Sequence, residues 1–511
     1  MPCPSLRSAG LVVAAVYAAL PQVGLGSAAS EQPQPSQSPG QFTVPLHRQR
    51  VPVRSDTDTI SYKSVYFGTI SVGAPVKQHF SVVFDTGSGH VIVPSVMCNS
   101  ETCRIHNRYD RQASKYAVDV DYDGTRVLPG QPRDQITVAF GTGEVTGQFV
   151  SDKLCLGKPG DEVPQPGHAT VGHANASVPA TEVATQRRLD ANASNVEPAD
   201  EGCIDLRVVM ATQMTHEPFH AFAFDGVLGL GLDGLALAPE FSFFGMMIAQ
   251  GRVTEPSFGV FLADNDDEVS ELCFGGHAPD KVRGGLTWAP VSSPELGYWQ
   301  IAIRAIRVGN RTLDFCNDGT CRAVVDTGTS LLAVPSAFSD ILQDELEGPL
   351  KDPPPSVGNS GGEDEVDCRK AEGALLHFDI DGSTLTLAPG DYSRPAIQLR
   401  DEDLEPAADG ASRATSEGPA DRVADEPPRA TCQPTLMGID LPEPLGPKLF
   451  IMGEPVLRKY YTVYDWAEKR VGFGIAVHSH DLPTEAQQHQ EPAAQAEAAK
   501  KPTLRRRPLL L

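Results

Sequence analysis

Val83-Phe84-Asp85-Thr86-Gly87-Ser88-Gly89 and, far downstream, Val324-Val325-Asp326-Thr327-Gly328-Thr329-Ser330 are two copies of one pattern, and their pairing decides how the chain reads. Each copy stands behind an apolar run and is followed by Val-Pro-Ser, at Val93-Pro94-Ser95 and at Val334-Pro335-Ser336. A single Asp-Thr-Gly is an ordinary turn, in which Asp caps and Gly supplies positive φ. A pair in the same setting reads as a duplicated half-site. Two carboxyls held against each other cannot both ionise cheaply, so they share a proton over a wide pH range, one acting as base and the other as acid.

At 511 residues the chain exceeds what one core supports, and two domains with added segments is the natural division. Its 40% hydrophobic and 21% charged content is ordinary for a globular protein. The net charge of -24 and isoelectric point near 4.9 argue against nucleic acid or an anionic membrane as partner, since both require basic surface. Acidity of this kind also suits work at low pH, where carboxylates are neutralised without leaving a large positive excess.

Arg7, the apolar run Ala9 to Leu20 and the small residues Ser27-Ala28-Ala29 read as a secretory signal over 1–29, cut before Ser30, with an uncleaved anchor as the alternative. No later run is long and apolar enough to span a bilayer, so the mature chain is expected to be soluble and is read as a monomer. Of ten cysteines, Cys3 leaves with the signal. In an oxidising compartment, spacing pairs Cys98 with Cys103 and Cys316 with Cys321 as short-loop disulfides. Zinc is the competing reading of those short spacings. Cys368 with Cys432 closes a long loop, and Cys155 with Cys203 is the fourth pair, which leaves Cys273 as a buried free thiol.

Residues 30–60 form a short prosegment or linker. Within it Phe42 to Arg50, followed by Arg54, is a basic strip that either lies over an acidic cleft or runs as a solvated linker. From Tyr62 onwards short β-type runs alternate with Gly and Pro turns, which is all-β punctuation. Ile136 to Gly147 reads as a hairpin with a glycine-rich tip. Pro239 to Ile248 and Pro335 to Leu346 carry helical spacing. Inserts at 158–203 and 401–431, and a tail from 478 to 511, are polar or Pro/Ala-rich and are expected to be disordered. Asn175, Asn192 and Asn310 begin glycosylation sequons. In the tail, His478-Ser479-His480-Asp481 could be drawn as metal ligands, but no metal or cofactor is expected.

With these motifs in order, the chain resembles the pepsin-like aspartic proteases over roughly Tyr62 to Val477. The resemblance is carried by Phe84-Asp85-Thr86-Gly87-Ser88, Gly141-Thr142-Gly143, Phe224-Asp225-Gly226-Val227-Leu228-Gly229, Gly297-Tyr298-Trp299-Gln300, Val325-Asp326-Thr327-Gly328-Thr329-Ser330 and Tyr460-Tyr461-Thr462-Val463-Tyr464-Asp465. It implies an all-β bilobal fold, with lobes at 61–255 and 256–477 and a cleft between them. Asp85 and Asp326 would hold a water and cut peptide bonds by general acid and base chemistry. Ser88 and Thr329 would bond the outer carboxylate oxygens, Gly87 and Gly328 would let N–H groups approach, and Thr86 and Thr327 would bond across the lobes. Phe140, Gly141 and Thr142 of the flap, with Val83, Ile92 and Tyr298, would contact substrate.

Two positions depart from the family pattern. Phe140 stands where Tyr is usual, and Ile92 where Trp is usual; in the family those two side chains bond each other. Losing one partner strands a buried polar group at about 1–3 kcal/mol, whereas replacing both by apolar groups can be nearly neutral. A repacked, apolar flap is therefore expected. His90, beside the first motif, is expected to face solvent. The reading is an endopeptidase of the secretory route, secreted or endolysosomal or vacuolar, acting on protein and peptide substrates at acid pH and preferring apolar residues around the cut. The alternatives are an inactive binding protein on the same frame and, from paired carboxylates alone, a glycosidase.

Overall fold

The computed structural model describes residues 40–54, 59–141, 143–157, 202–353, 366–398 and 430–481. The signal region 1–29, Thr142, Asn175, Asn192 and nearly all of both inserts lie outside them. Asn310 is exposed in the turn after the strand Gln300–Val308.

Strands dominate, as the alternating runs require. β1 (Phe42–Arg54), β2 (Thr59–Val72), β3 (Gln78–Asp85) and β4 (Val91–Pro94) open the chain. Phe80 to Phe84 are all buried because β3 has neighbours on both edges, β2 antiparallel and Gly226–Gly229 parallel. The strands form one 16-stranded sheet and a second of eight strands belonging to the C-terminal half.

The duplication in sequence is a duplication in topology. In the first half, β3 runs parallel to Gly226–Gly229, which lies antiparallel to β4, and β4 runs parallel to Cys203–Met214. In the second, Arg322–Val325 runs parallel to Leu449–Met452, which lies antiparallel to Leu332–Pro335, and that strand runs parallel to Leu436–Ile439. Each Asp-Thr-Gly therefore leaves a buried strand and turns beneath a segment ending in Gly229 or Gly453.

An aromatic block of the second half lies below these turns, and Trp299 ties it to the first. Phe258 stacks on Tyr464 at 4.7 Å, and Trp299 meets Tyr464 edge-on at 5.3 Å. Fully buried Trp299 donates from Nε1 to Leu230 O at 2.9 Å, while its own carbonyl accepts from Val325 N at 3.0 Å. Both turns thus rest on one block of rings, and truncating such a ring costs about 3–5 kcal/mol.

The helical stretch at Pro239 divides into a 3₁₀ turn, Pro239–Phe241, and a helix, Phe243–Ala249, while Ser336–Glu347 is one helix. Disulfides join Cys98 to Cys103, Cys155 to Cys203, Cys316 to Cys321 and Cys368 to Cys432, and Cys273 is a buried free thiol. The tail differs from expectation: it is ordered through Asp481. His478 is buried, its Nδ1 3.0 Å from Glu268 Oε2 and its Nε2 2.9 Å from Arg458 O, and these contacts pin the segment. No helix among the described residues is long and apolar enough to cross a membrane.

Candidate active site

The two turns interlock. Thr86 Oγ1 donates to Val325 O at 2.9 Å and Thr327 Oγ1 donates to Phe84 O at 2.6 Å. The backbone N–H of each threonine donates to the other's hydroxyl, both at 3.0 Å. This lattice fixes the spacing of the turns through short bonds in a buried setting, where they are strongest.

Asp85 and Asp326 meet at its centre. Gly87 N donates to Asp85 Oδ1 and Gly328 N to Asp326 Oδ1, each at 2.9 Å. Both glycines are required by close approach. A Cβ on Gly328 would fall 2.4 Å from Asp85 Oδ1, and one on Gly87 would fall 3.0 Å from Asp326 Oδ1. Each glycine thus faces the other half's carboxylate. Burial first, and then the neighbouring Asp326 carboxylate, push the Asp85 carboxyl well above the ordinary range. Carboxyls held this close are described by the titration of the pair and not of either residue alone.

The outer supports differ. Thr329 Oγ1 donates to Asp326 Oδ2 at 2.6 Å. Ser88 favours the charged form of Asp85 by its proximity, yet its buried Oγ closes no hydrogen bond within 3.5 Å. The two hydroxyls thus stand at different distances from their carboxylates.

Over the first half the hairpin Gln135–Phe140 and Gly143–Leu156 forms the flap, pairing Phe140 with Gly143 across its tip. Gly141 sits at φ 59°, the left-handed turn conformation. Phe140 lies edge-on to Phe219 at 6.0 Å. Together with Ile92, Val145, Met214, Phe224 and Asp225 these rings enclose a hollow of about 10 Å³, room for no more than one water. Val83 belongs to the neighbouring cluster with Phe67 and Phe224. Burial, and then the Asp85 and Asp326 carboxylates, push the Tyr298 hydroxyl above its ordinary value.

His90 does not face solvent. It is buried, Nε2 accepting from Leu237 N at 3.1 Å with Phe241 edge-on at 5.5 Å, and burial pushes its pKa down to about 4. Its burial comes from contacts far along the chain. Phe219 and Met214 of the hollow were likewise not identified from sequence, because nothing local distinguishes them from core residues. Neither was the bond from Ser330 Oγ to Ser64 O at 2.5 Å, which ties β2 to the second turn.

The family model for eukaryotic aspartyl proteases matches residues 65–160 and 196–402. Cathepsin E of Rattus norvegicus is 30% identical over 418 residues, covering 81% of this chain and 80% of its own length. Cathepsin E of Oryctolagus cuniculus is 31% identical over 418 residues, covering 81% and 80%. Vacuolar protease A of Aspergillus fumigatus is 30% identical over 419 residues, covering 80% and 79%. The chain belongs to the eukaryotic aspartyl protease family.

Proposed function

We propose that this aspartic endopeptidase hydrolyses peptide bonds with Asp85 and Asp326 as its acid and base. The observation that carries the proposal is reciprocal packing: each Asp-Thr-Gly glycine abuts the opposite carboxylate, so the two carboxyls are forced to share a proton. One carboxylate takes a proton from a water as it attacks the scissile carbonyl, and the protonated partner donates to the carbonyl oxygen. Collapse then protonates the amide nitrogen, and no acyl-enzyme forms. Because Asp85 is raised, the singly protonated pair persists through acid pH and is lost as pH climbs, so activity declines on the alkaline side.

The apolar rings of Phe140 and Phe219 favour an apolar side chain beside the cut, which would lie against them because the hollow between them, about 10 Å³, is too small to receive one. Phe140 closes the hollow by ring contact with Phe219, and Ile92 lies in the same apolar wall, as expected of a flap that has lost both polar partners together. Four disulfides favour an oxidising, secretory-route location, and one relative is named as vacuolar.

The test is cleavage of a denatured protein between pH 3 and 7 by the purified enzyme and by Asp85→Asn and Asp326→Asn. Cleavage by the parent and none by either variant is expected. Equal cleavage by all three would reject the assignment.

A further inference from the structure

Beyond the strand Arg470–Ala476 the chain carries His478 onto the turn between Ser257–Phe261 and Ser270–Phe274, where Asp264 and Glu268 stand. Among the described residues, Asp264, Glu268 and His478 each bring a ligand atom within 4.8 Å of the other two. His478 Nδ1 is 3.0 Å from Glu268 Oε2 and 3.8 Å from Asp264 Oδ1. His480 adds a fourth group at the rim, its Nδ1 3.7 Å from Asp264 Oδ2 and its ring parallel to that of His478 at 5.6 Å. Nothing local in the sequence joins these residues, since Glu268 lies 210 positions before His478.

A contact outside the trio sets its chemistry. The Arg458 carbonyl, 2.9 Å from His478 Nε2, can only accept, so Nε2 carries a proton and donates it. Nδ1 is then left facing two carboxylates. A bare lone pair 3.0 Å from a carboxylate oxygen is repelled, so a positive species belongs between them. Metal-binding imidazoles are held in this way, the far N–H given to a backbone carbonyl that fixes the tautomer and the ring orientation.

The cations that the protein itself supplies are engaged elsewhere. Ser479 N donates to Glu268 Oε1 at 3.0 Å and Lys281 Nζ lies 3.9 Å from the same oxygen, which leaves Oε2 to the trio. Asn265 Nδ2 donates to Asp264 Oδ1 at 2.7 Å, and Arg458 donates to the Asp264 backbone carbonyl. Arg48 and Arg50 of the basic strip go to Asp266, the neighbouring carboxylate of the turn. The Glu268 and His478 side chains are 8% and 9% exposed, whereas that of His480 is 58% exposed, so an ion would enter from the side of His480.

We propose that Asp264, Glu268 and His478 bind a divalent metal ion of the zinc type, with His480 closing the site, and that the ion clamps this end of the described chain to the turn. The donor set decides the class: imidazole nitrogen with carboxylate oxygen suits Zn²⁺, whereas Ca²⁺ and Mg²⁺ take oxygen ligands. The spacing agrees. Tetrahedral ligands on zinc stand about 3.4 Å apart, and the two separations from His478 Nδ1 are 3.0 and 3.8 Å.

The site stands independently of the peptidase reading and is tested in the full chain carrying Asp85→Asn, so that self-cleavage does not enter. The protein is stripped with EDTA and given ZnCl₂, MgCl₂ or CaCl₂ at pH 7. It is expected to retain about one zinc per chain through gel filtration and to gain about 3 °C in Tm, with no response to magnesium or calcium. Glu268→Gln keeps the length of the side chain and an acceptor for Ser479 N, and it and His478→Gln are each expected to abolish both responses. His480→Ala is expected to weaken zinc binding about tenfold.

The rival seat for zinc is the pair of stacked rings His216 and His220, 4.2 Å apart, and His220→Gln is expected to leave uptake unchanged. Uptake that survives both Glu268→Gln and His478→Gln, or is lost with His220→Gln, would overturn the site. Zinc retained with no rise in Tm would overturn the clamp. A parent that takes up no zinc would also overturn the site, and would make the positive species at His478 Nδ1 a proton.

Discussion

The two Asp-Thr-Gly turns share a topology and differ in what stands behind them. Behind Asp326, hydroxyls do the holding: Thr329 bonds the carboxylate and Ser330 bonds Ser64 O. Behind Asp85, Ser88 closes no bond, and the loop is fixed by His90, whose imidazole accepts a backbone N–H in a buried pocket. The second turn carries Leu331 at the place of His90. Duplication preserved the cradle for the carboxylate and left its backing free to diverge, so the first turn leans on an imidazole where the second carries Leu331.

The sharpest challenge to equivalence of the two carboxylates is their removal. Asp85→Asn and Asp326→Asn should each lower kcat by about 1,000-fold or more, and the double variant should be no worse than either, since a shared proton is lost with the first change. A large residual difference between the single variants would show that one carboxylate works alone.

Next in size is the acid response of the first turn. Burial favours neutral His90, so its pKa is depressed from the ordinary 6.5 to about 4. The stability it contributes is complete above 6.5 and is lost as pH falls towards 4, at most about 3 kcal/mol. His90→Gln keeps an acceptor for Leu237 N without titrating, so denaturation at pH 7 and pH 4 should show a smaller acid loss than in the parent. An identical loss would mean that the imidazole is not a source of acid sensitivity.

A smaller effect separates the hydroxyls. Thr329→Val should cost about tenfold in kcat/KM, because it strips a bond to a charged oxygen, whereas Ser88→Ala should stay within about twofold. Equal losses would restore the symmetry that the geometry denies. Smallest of all is Phe140→Tyr, expected to change kcat/KM by less than about twofold, because Ile92 offers the new hydroxyl no partner. A large gain would show that the flap retains a polar seat.

The parts of the fold legible in sequence were those with local signals. Apolar runs ending in Asp-Thr-Gly, turn glycines and cysteine spacing identified the duplicated halves, the flap hairpin and all four disulfides. What escaped depends on contacts distant along the chain. The strand character of Phe42 to Leu46 is masked by Pro45 and realised only against Ser270–Phe274. The burial of His90 depends on Leu237 and Phe241, and that of His478 on Glu268 and Arg458.

The ladder between Gly143–Leu156 and Cys203–Met214 runs to its last rung at Cys155 and Cys203, whose Cα atoms are 4.0 Å apart and joined by a disulfide. Cys155 and Cys203 therefore form a sealed doorway on the far end of the sheet from the flap. Closing a loop at a fixed doorway costs only about 0.6 kcal/mol for each doubling of its length. Length there is nearly invisible to the enzyme beneath, which makes the doorway a grafting point: a reporter or targeting module could be inserted between Cys155 and Cys203 while the carboxylate pair keeps its geometry.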